Sequence, residues 1–280
     1  MPQIFFVDFA WKMQNPPIIA YCHSTRLLST DGSSLSDPTK FRSTVVDFQY
    51  LKFTRPNLVF SVYQLCHFMH HLTSTYLDVA KRVLRYVKGT LYHDIHFSHG
   101  PLTLSTFTDV DRTRDPSDQR PTIGLLVFLG SNPISWSSKK QTTVSQSSIE
   151  VEYRALVRIV AKISWPRIIF KEFFFLMFLC FSVIMCLCWH FLPILFSTPQ
   201  MKHIEIDFHY VREKVIPKDL YVRFASGKGN SVDYLTKPLT APLFNLLRSK
   251  LMVDSSSFHL RRDVKHDDPH DAVQHKTVSA

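Results

Sequence analysis

The sequence predicts an α/β fold, a layered domain with a mixed sheet, preceded by a small helical segment. Two observations carry this. Between residues 38 and 90 apolar residues recur every three or four positions, the period of one helix face. From Leu91 the period shortens to two through three strand-like runs, followed by a long helical stretch, a last strand and a last helix.

Residues 1–37 show no sustained period and end in a Ser-, Asp- and Pro-rich stretch, so they read as irregular. Asp37-Pro38 opens the first helix, in which Phe41, Val45, Phe48 and Leu51 share a face, and Arg55-Pro56 stops it. A second helix runs from Leu58 to Met69, with Leu58, Val62, Leu65 and Met69 on one side. A third runs from Thr73 to Lys88, with Gly89 placed as its C-terminal cap. These make a helical unit over residues 38–98.

Leu102–Thr108, Ile123–Leu129 and Pro133–Ser137 alternate as strands do, with Gly130-Ser131-Asn132 as the turn between the last two. Ser147–Phe170 is helical, Leu220–Phe224 is a strand, and Val232–Leu235 opens a short helix. The α/β domain is thus expected over residues 99–245, and the polar, His- and Asp-rich residues 246–280 read as a disordered tail.

Lys and Arg number 33 against 23 acids, a formal charge of +10, which favours a polyanionic partner without specifying a fold. Lys81, Arg85 and Lys88 fall at i, i+4, i+7 on the third helix, a row able to follow a phosphate backbone, or a solvated helix face. Lys139 and Lys140 add positive charge at the end of the third strand. The five cysteines make no disulfide framework, and Cys186-x-Cys188 has no second ligand pair at zinc-site spacing. Met1–Ala10 has no basic start and contains Asp8, so it does not read as a secretory signal.

Phe173–Phe196 is apolar apart from Ser182 and His190, long enough for a membrane span, for which about 20 residues suffice. A membrane-anchored protein is therefore a competing reading of this segment, but the surrounding sequence argues against it, and a membrane partner is not expected.

Three acids stand in an ordered series. Asp109 follows the first strand, with Asp111 on the same face. Ser147-Ser148-Ile149-Glu150 fits a capping box, which occupies Glu150 structurally and leaves Glu152 for chemistry. Asp233 begins the last short helix. Each has a structural reading too, Asp109 and Asp111 as turn residues and Asp233 as a helix cap. Together, carboxylates in the order strand, helix, final helix suit a cluster that holds Mg2+ ions against a phosphate.

At these residues the chain resembles the C-terminal part of a copia-type retrotransposon Pol polyprotein. The matching strings include Phe107-Thr108-Asp109-Val110-Asp111, Ile134-Ser135-Trp136-Ser137-Ser138-Lys139-Lys140-Gln141, Ser147-Ser148-Ile149-Glu150-Val151-Glu152-Tyr153, Lys202-His203-Ile204-Glu205 and Asp233-Tyr234-Leu235-Thr236-Lys237-Pro238. Upstream, Thr54-Arg55-Pro56 and Leu84-Arg85-Tyr86-Val87-Lys88-Gly89-Thr90 resemble the end of the reverse transcriptase, its thumb or connection region. The resemblance implies a ribonuclease H-like mixed sheet after a helical remnant, with Asp109, Glu152 and Asp233 as three of four catalytic, metal-holding acids. It also implies Mg2+ as cofactor, an RNA–DNA hybrid or duplex as partner, and a cytoplasmic or nuclear setting. The polymerase palm of the family lies upstream of the matched part, so polymerisation is not expected.

The departures are local. Small residues are usual in the family where Val46-Asp47 stand, a change expected to disturb helix packing, and Trp-Ala-Gly is usual at Arg112-Thr113-Arg114. The fourth acid, on a strand ending Cys-Asp-Asn, has no counterpart in residues 173–197, which contain no acid. A frameshift beginning near Glu172 and corrected near Thr198 accounts for both edges. One synonymous-codon choice for Ser182–Thr198, read in the shifted frame, restores Cys-Asp-Asn and ends in Asn-Pro-Val-Phe-His. A gene whose shifted frame lacks that string excludes this explanation. On this reading residues 173–197 form a helix or an ill-packed apolar segment, and cleavage is absent or very slow. A non-catalytic nucleic-acid-binding protein on the same fold is the second reading.

Overall fold

The computed structural model describes residues 15–21, 31–70, 72–111, 120–141, 148–174, 181–185, 209–211, 213, 221–224 and 230–255. Helices α1 (Thr39–Leu51), α2 (Val59–His67) and α3 (Ser74–Gly89) come first, with a 3-10 turn at Pro56–Leu58. Strand β1 (His93–Ile95) follows, then β2 (Leu104–Asp111), β3 (Thr122–Leu129) and β4 (Asn132–Lys140). Helix α4 (Ser148–Phe174), strands β5 (Phe181–Met185) and β6 (Tyr221–Phe224), helices α5 (Asp233–Thr236) and α6 (Ala241–Lys250), and strand β7 (Val253–Ser255) complete the order.

The helical segment folds as its period dictates. Phe41, Val45 and Phe48 of α1 are buried, as are Leu58, Val62 and Leu65 around α2. On α3 the buried stripe is Tyr76, Val79, Ala80, Val83, Leu84, Tyr86 and Val87. Val46, expected to disturb this packing, is 49% exposed and lies off the stripe. Gly89 also corrects an expectation: it is the last residue of α3 and has no positive φ. Its role is close approach, since a Cβ there would stand 2.3 Å from Pro16 Cβ.

Five strands make one sheet in the order β4-β3-β2-β5-β6. β2, β3 and β4 form an antiparallel meander, while β5 runs parallel to β2 and β6 parallel to β5. This order and these directions are those of a ribonuclease H-like fold. β3 is buried along nearly its whole length. Leu126 and Phe128 join the cluster of the helical segment. By alternation Leu125 and Val127 face the other side. There the buried stripe of α4 (Val151, Ala155, Leu156, Ile159) packs against the sheet at β2.

At Phe181–Met185, β5 corrects the expectation of a helix or an ill-packed segment, while residues 175–180 and 186–197 lie outside the described residues. The helix ends at Phe174, and Phe181–Met185 pairs with the central strand in the register Leu104↔Phe181 through Thr108↔Met185. Strand pairing runs through the backbone, and Phe181, Val183 and Ile184 are of the aromatic and β-branched types that strands favour. An interior parallel strand also tolerates unbroken apolar sequence. Among the described residues no helix is long and apolar enough to cross a membrane.

Residues 246–255, expected to open the tail, contain helix and strand. α6 continues to Lys250, and β7 pairs antiparallel with β1, His93↔Ser255 to Ile95↔Val253. Phe244 of α6 packs edge-on against Tyr86 at 5.9 Å and stacks on Tyr234 at 4.6 Å. The helical segment and the α/β domain therefore share one hydrophobic cluster, from Phe41 through Leu126 to Leu251. Residues 256–280 lie outside the described residues.

Candidate active site

Asp109 is part of β2 rather than beyond its end. The central position of that strand, between β3 and β5, sets the carboxylate among structured neighbours. Thr108, the residue before it, is buried and donates its hydroxyl to the Gly124 carbonyl at 3.0 Å. Asn230 donates to the Thr108 carbonyl at 3.4 Å and, through its side-chain oxygen, accepts from the Val232 amide at 3.1 Å. These bonds bring the start of α5 to the exit of β2.

Asp233 is the first residue of α5, where a carboxylate meets the positive end of the helix. It does not stand alone with Asp109. The Lys237 Nζ lies 2.7 Å from Asp233 Oδ1 and 3.0 Å from Asp109 Oδ2. Thr236 adds a hydroxyl donated to Asp109 Oδ2 at 3.0 Å. Both carboxylates are mostly buried, with side chains 11% and 14% exposed, while Lys237 is 39% exposed.

The electrostatics follow. Burial raises the Asp233 pKa from its ordinary value; Lys237 opposes the shift and Asp109 adds to it. Burial acts to lower the Lys237 pKa, but the two carboxylates outweigh it and the net shift is upward. The ammonium is thus held charged between two acids.

Glu152 lies one turn into α4, which packs against β2. Glu150, two residues earlier, is buried and pairs with Arg154 Nη2 at 2.8 Å, a structural role. Ser147 lies outside the described residues, as do Arg112–Arg114. Among the described residues, no group of three or more His, Cys, Asp or Glu side chains is gathered closely enough to hold a metal ion. The structure brings Asp109 and Asp233 together and leaves Glu152 out of that cluster. β5, the neighbour of β2, carries no carboxylate between Phe181 and Met185. As placed, these residues do not fit a two-ion site, because two carboxylates already share one lysine.

The basic residues are dispersed. On α3, Lys81 pairs with Asp78 at 3.2 Å, Arg85 is partly buried and Lys88 is exposed. Lys139 is exposed on β4, and Lys140 Nζ lies 3.0 Å from His67 Nε2.

Lys237 and Gly124 are the site residues that sequence reasoning missed. The i, i+4 spacing of Asp233 and Lys237 on one helical turn is the signal that points to the lysine. Gly124 had no local signal. A Cβ there would stand 2.5 Å from both Val232 Cγ1 and Thr236 Cγ2, so its missing side chain is what seats α5 on the sheet.

No family profile matches the chain. It is similar to the retrovirus-related Pol polyprotein from transposon RE1 of Arabidopsis thaliana, 36% identical over 245 residues, covering 82% of this chain and 16% of that one. The Pol polyprotein from transposon TNT 1-94 of Nicotiana tabacum is 27% identical over 208 residues, covering 72% of this chain and 15% of that one. The chain therefore spans about a sixth of the length of these relatives. Among solved structures, LC11-RNase H1 in complex with an RNA/DNA hybrid is similar with a TM-score of 0.35 and 16% identity, over 48% of this chain and 93% of that one.

Proposed function

This chain belongs to the retrovirus-related Pol polyproteins from transposons, and from that premise we propose that it is a copia-type, ribonuclease H-like domain whose ancestral Mg2+-dependent cleavage of RNA in RNA–DNA hybrids is impaired. The observation that carries the proposal is the Lys237 ammonium between Asp109 and Asp233. It supports both halves. Two of the acids that the resemblance marks as catalytic stand against one lysine, and the positive charge between them is the protein's own.

Asp109, Glu152 and Asp233 are the acids that would hold Mg2+, which would supply activation of a water and offset charge on the leaving oxygen. The chain's residues supply less than that requires. Asp109 is held by Thr236 and Lys237, Asp233 is disfavoured as an anion by burial, and β5 offers no carboxylate beside them. Removing one member of a catalytic unit commonly costs orders of magnitude in rate, and the losses are not additive. Nucleic-acid binding is retained in this reading, through Lys81, Arg85 and Lys88 and through Lys139 and Lys140. It is sensitive to salt because phosphate contacts release counterions.

The test is cleavage of a labelled RNA–DNA hybrid by the purified chain in Mg2+, beside Asp109→Asn. The expected result is no product above the Asp109→Asn background. Turnover of about 1 per second or faster, abolished by Asp109→Asn, excludes impairment. Hybrid binding measured in the same samples separates this reading from the loss of all nucleic-acid affinity.

A further inference from the structure

A second basic feature lies away from the acids. A groove of about 660 Å3 opens between the α1–α2 side of the helical segment and β4. β4 is an edge of the sheet, two strands from Asp109 on β2. Lys52 stands at the end of α1, Lys139 and Lys140 at the end of β4, and Lys162 on α4, and all four line the groove. No acidic residue lines it among those described.

Lys52, Lys139 and Lys162 have no acidic partner among the described residues, and like charges so gathered repel one another. Lys52 is held by the Gln49 side-chain oxygen, which positions its charge without cancelling it, and Lys140 Nζ lies beside His67 Nε2. Lys162, although solvent-accessible, has its pKa lowered by desolvation first and by the Lys139 charge second.

The walls are fixed. Trp136 Nε1 donates to the Lys52 carbonyl at 2.7 Å, tying the end of α1 to β4. Tyr63 of α2 is bonded through its hydroxyl to Thr122 Oγ1 at 3.0 Å. At the mouth, Phe53 is 70% exposed, with Lys52 Nζ 5.7 Å from its ring centroid.

We propose that this groove binds a single strand of nucleic acid, its phosphates on Lys52, Lys139, Lys140 and Lys162 and a base stacked on Phe53. The volume is of the order that holds a small ligand, room for about one or two nucleotides and not for a duplex. Lysines with no carboxylate beside them among the described residues suit a polyanion, and an exposed aromatic ring beside lysines is the sequence-tolerant way to hold an unpaired base. The site deepens the nucleic-acid reading above by naming a strand-specific contact, and it does not depend on the acids.

The test uses the full chain and a labelled short oligothymidylate, with binding followed by fluorescence anisotropy across a salt series. Lys139→Gln with Lys162→Gln reduces the log–log salt slope by about 0.7 for each phosphate that is no longer neutralised, and Lys139→Arg with Lys162→Arg restores it. Phe53→Ala weakens binding by about 5- to 100-fold. The exposed α1 pair Lys40→Gln, Arg42→Gln, which does not line the groove, leaves the oligothymidylate slope as it was. An unchanged slope in the Lys139, Lys162 pair, or equal loss from the Lys40, Arg42 pair, overturns the proposal. A groove that takes an acidic extended peptide and not the oligonucleotide overturns it as well. Hybrid binding is followed separately, so failure of the ribonuclease H reading leaves this result legible on its own.

Discussion

Gly124 and Asp109 are direct partners across the antiparallel β2–β3 ladder, and the absent side chain of the one admits the helix that delivers Asp233 to the other. Gly124→Ala places a methyl 2.5 Å from Val232 Cγ1 and Thr236 Cγ2. Overpacking of this kind costs about 1–3 kcal/mol. Urea unfolding should show that loss, and a variant as stable as the original chain excludes this account of the glycine.

Lys237→Met removes the ammonium shared by Asp109 and Asp233. Breaking a fully buried pair costs about 3–5 kcal/mol, and less is expected here because Lys237 is 39% exposed. Mg2+ should then raise the melting temperature of the variant, since binding to the folded state stabilises it by about 2.7 kcal/mol at a hundred times Kd. The original chain should respond weakly. Equal stabilisation of both by Mg2+ shows that the lysine does not compete with the ion.

His93 gives a pH dependence of definite sign. It sits on β1 with Nδ1 buried and unbonded, and its pKa is lowered below 6.5 by burial first, then by Arg248 of α6 and by Arg55. Asp254 of β7 and Asp94 oppose the shift without reversing it. The unfolded chain therefore binds the proton more readily than the folded one, and stability rises with pH across the window just below 6.5. His93→Gln should flatten the pH dependence of unfolding there. A slope of unchanged size assigns it to other groups.

Trp136→Phe keeps most of the ring but deletes the donor to the Lys52 carbonyl. Leaving a partly buried carbonyl unsatisfied costs about 1–3 kcal/mol. Chemical unfolding followed by far-UV circular dichroism reads it, and a loss below about 0.5 kcal/mol, the ordinary spread of surface changes, sinks the tie as a stabilising contact.

Much of this fold was legible because long periodic runs announce themselves. Phe41, Val45 and Phe48 lie buried where their spacing put them, and the strands around Phe107 and Leu126 fall where alternation did. The segment Phe181–Met185 was not legible, because a short apolar run has no period that separates strand from helix. β1 and β7 escaped for a different reason: three residues are too few for a pattern, and each is a strand only because the other is there. At the site, Asp109 and Asp233 were readable from their order. Lys237 was passed over as a member of a string, although its charge now defines what the acids can do.

The pairing of His93 with Ser255 has a consequence for how the chain is made. Leu247, Leu251 and Val253 belong to the same cluster as Phe41 and Tyr86. A ribosome releases the helices first, yet the hydrophobic surface they present is not fully covered until the segment through Ser255 has emerged. Contacts so distant along the chain slow folding, and the exposed interval is when nascent chains associate wrongly. A polypeptide cut short after Thr240 would carry that uncovered surface permanently.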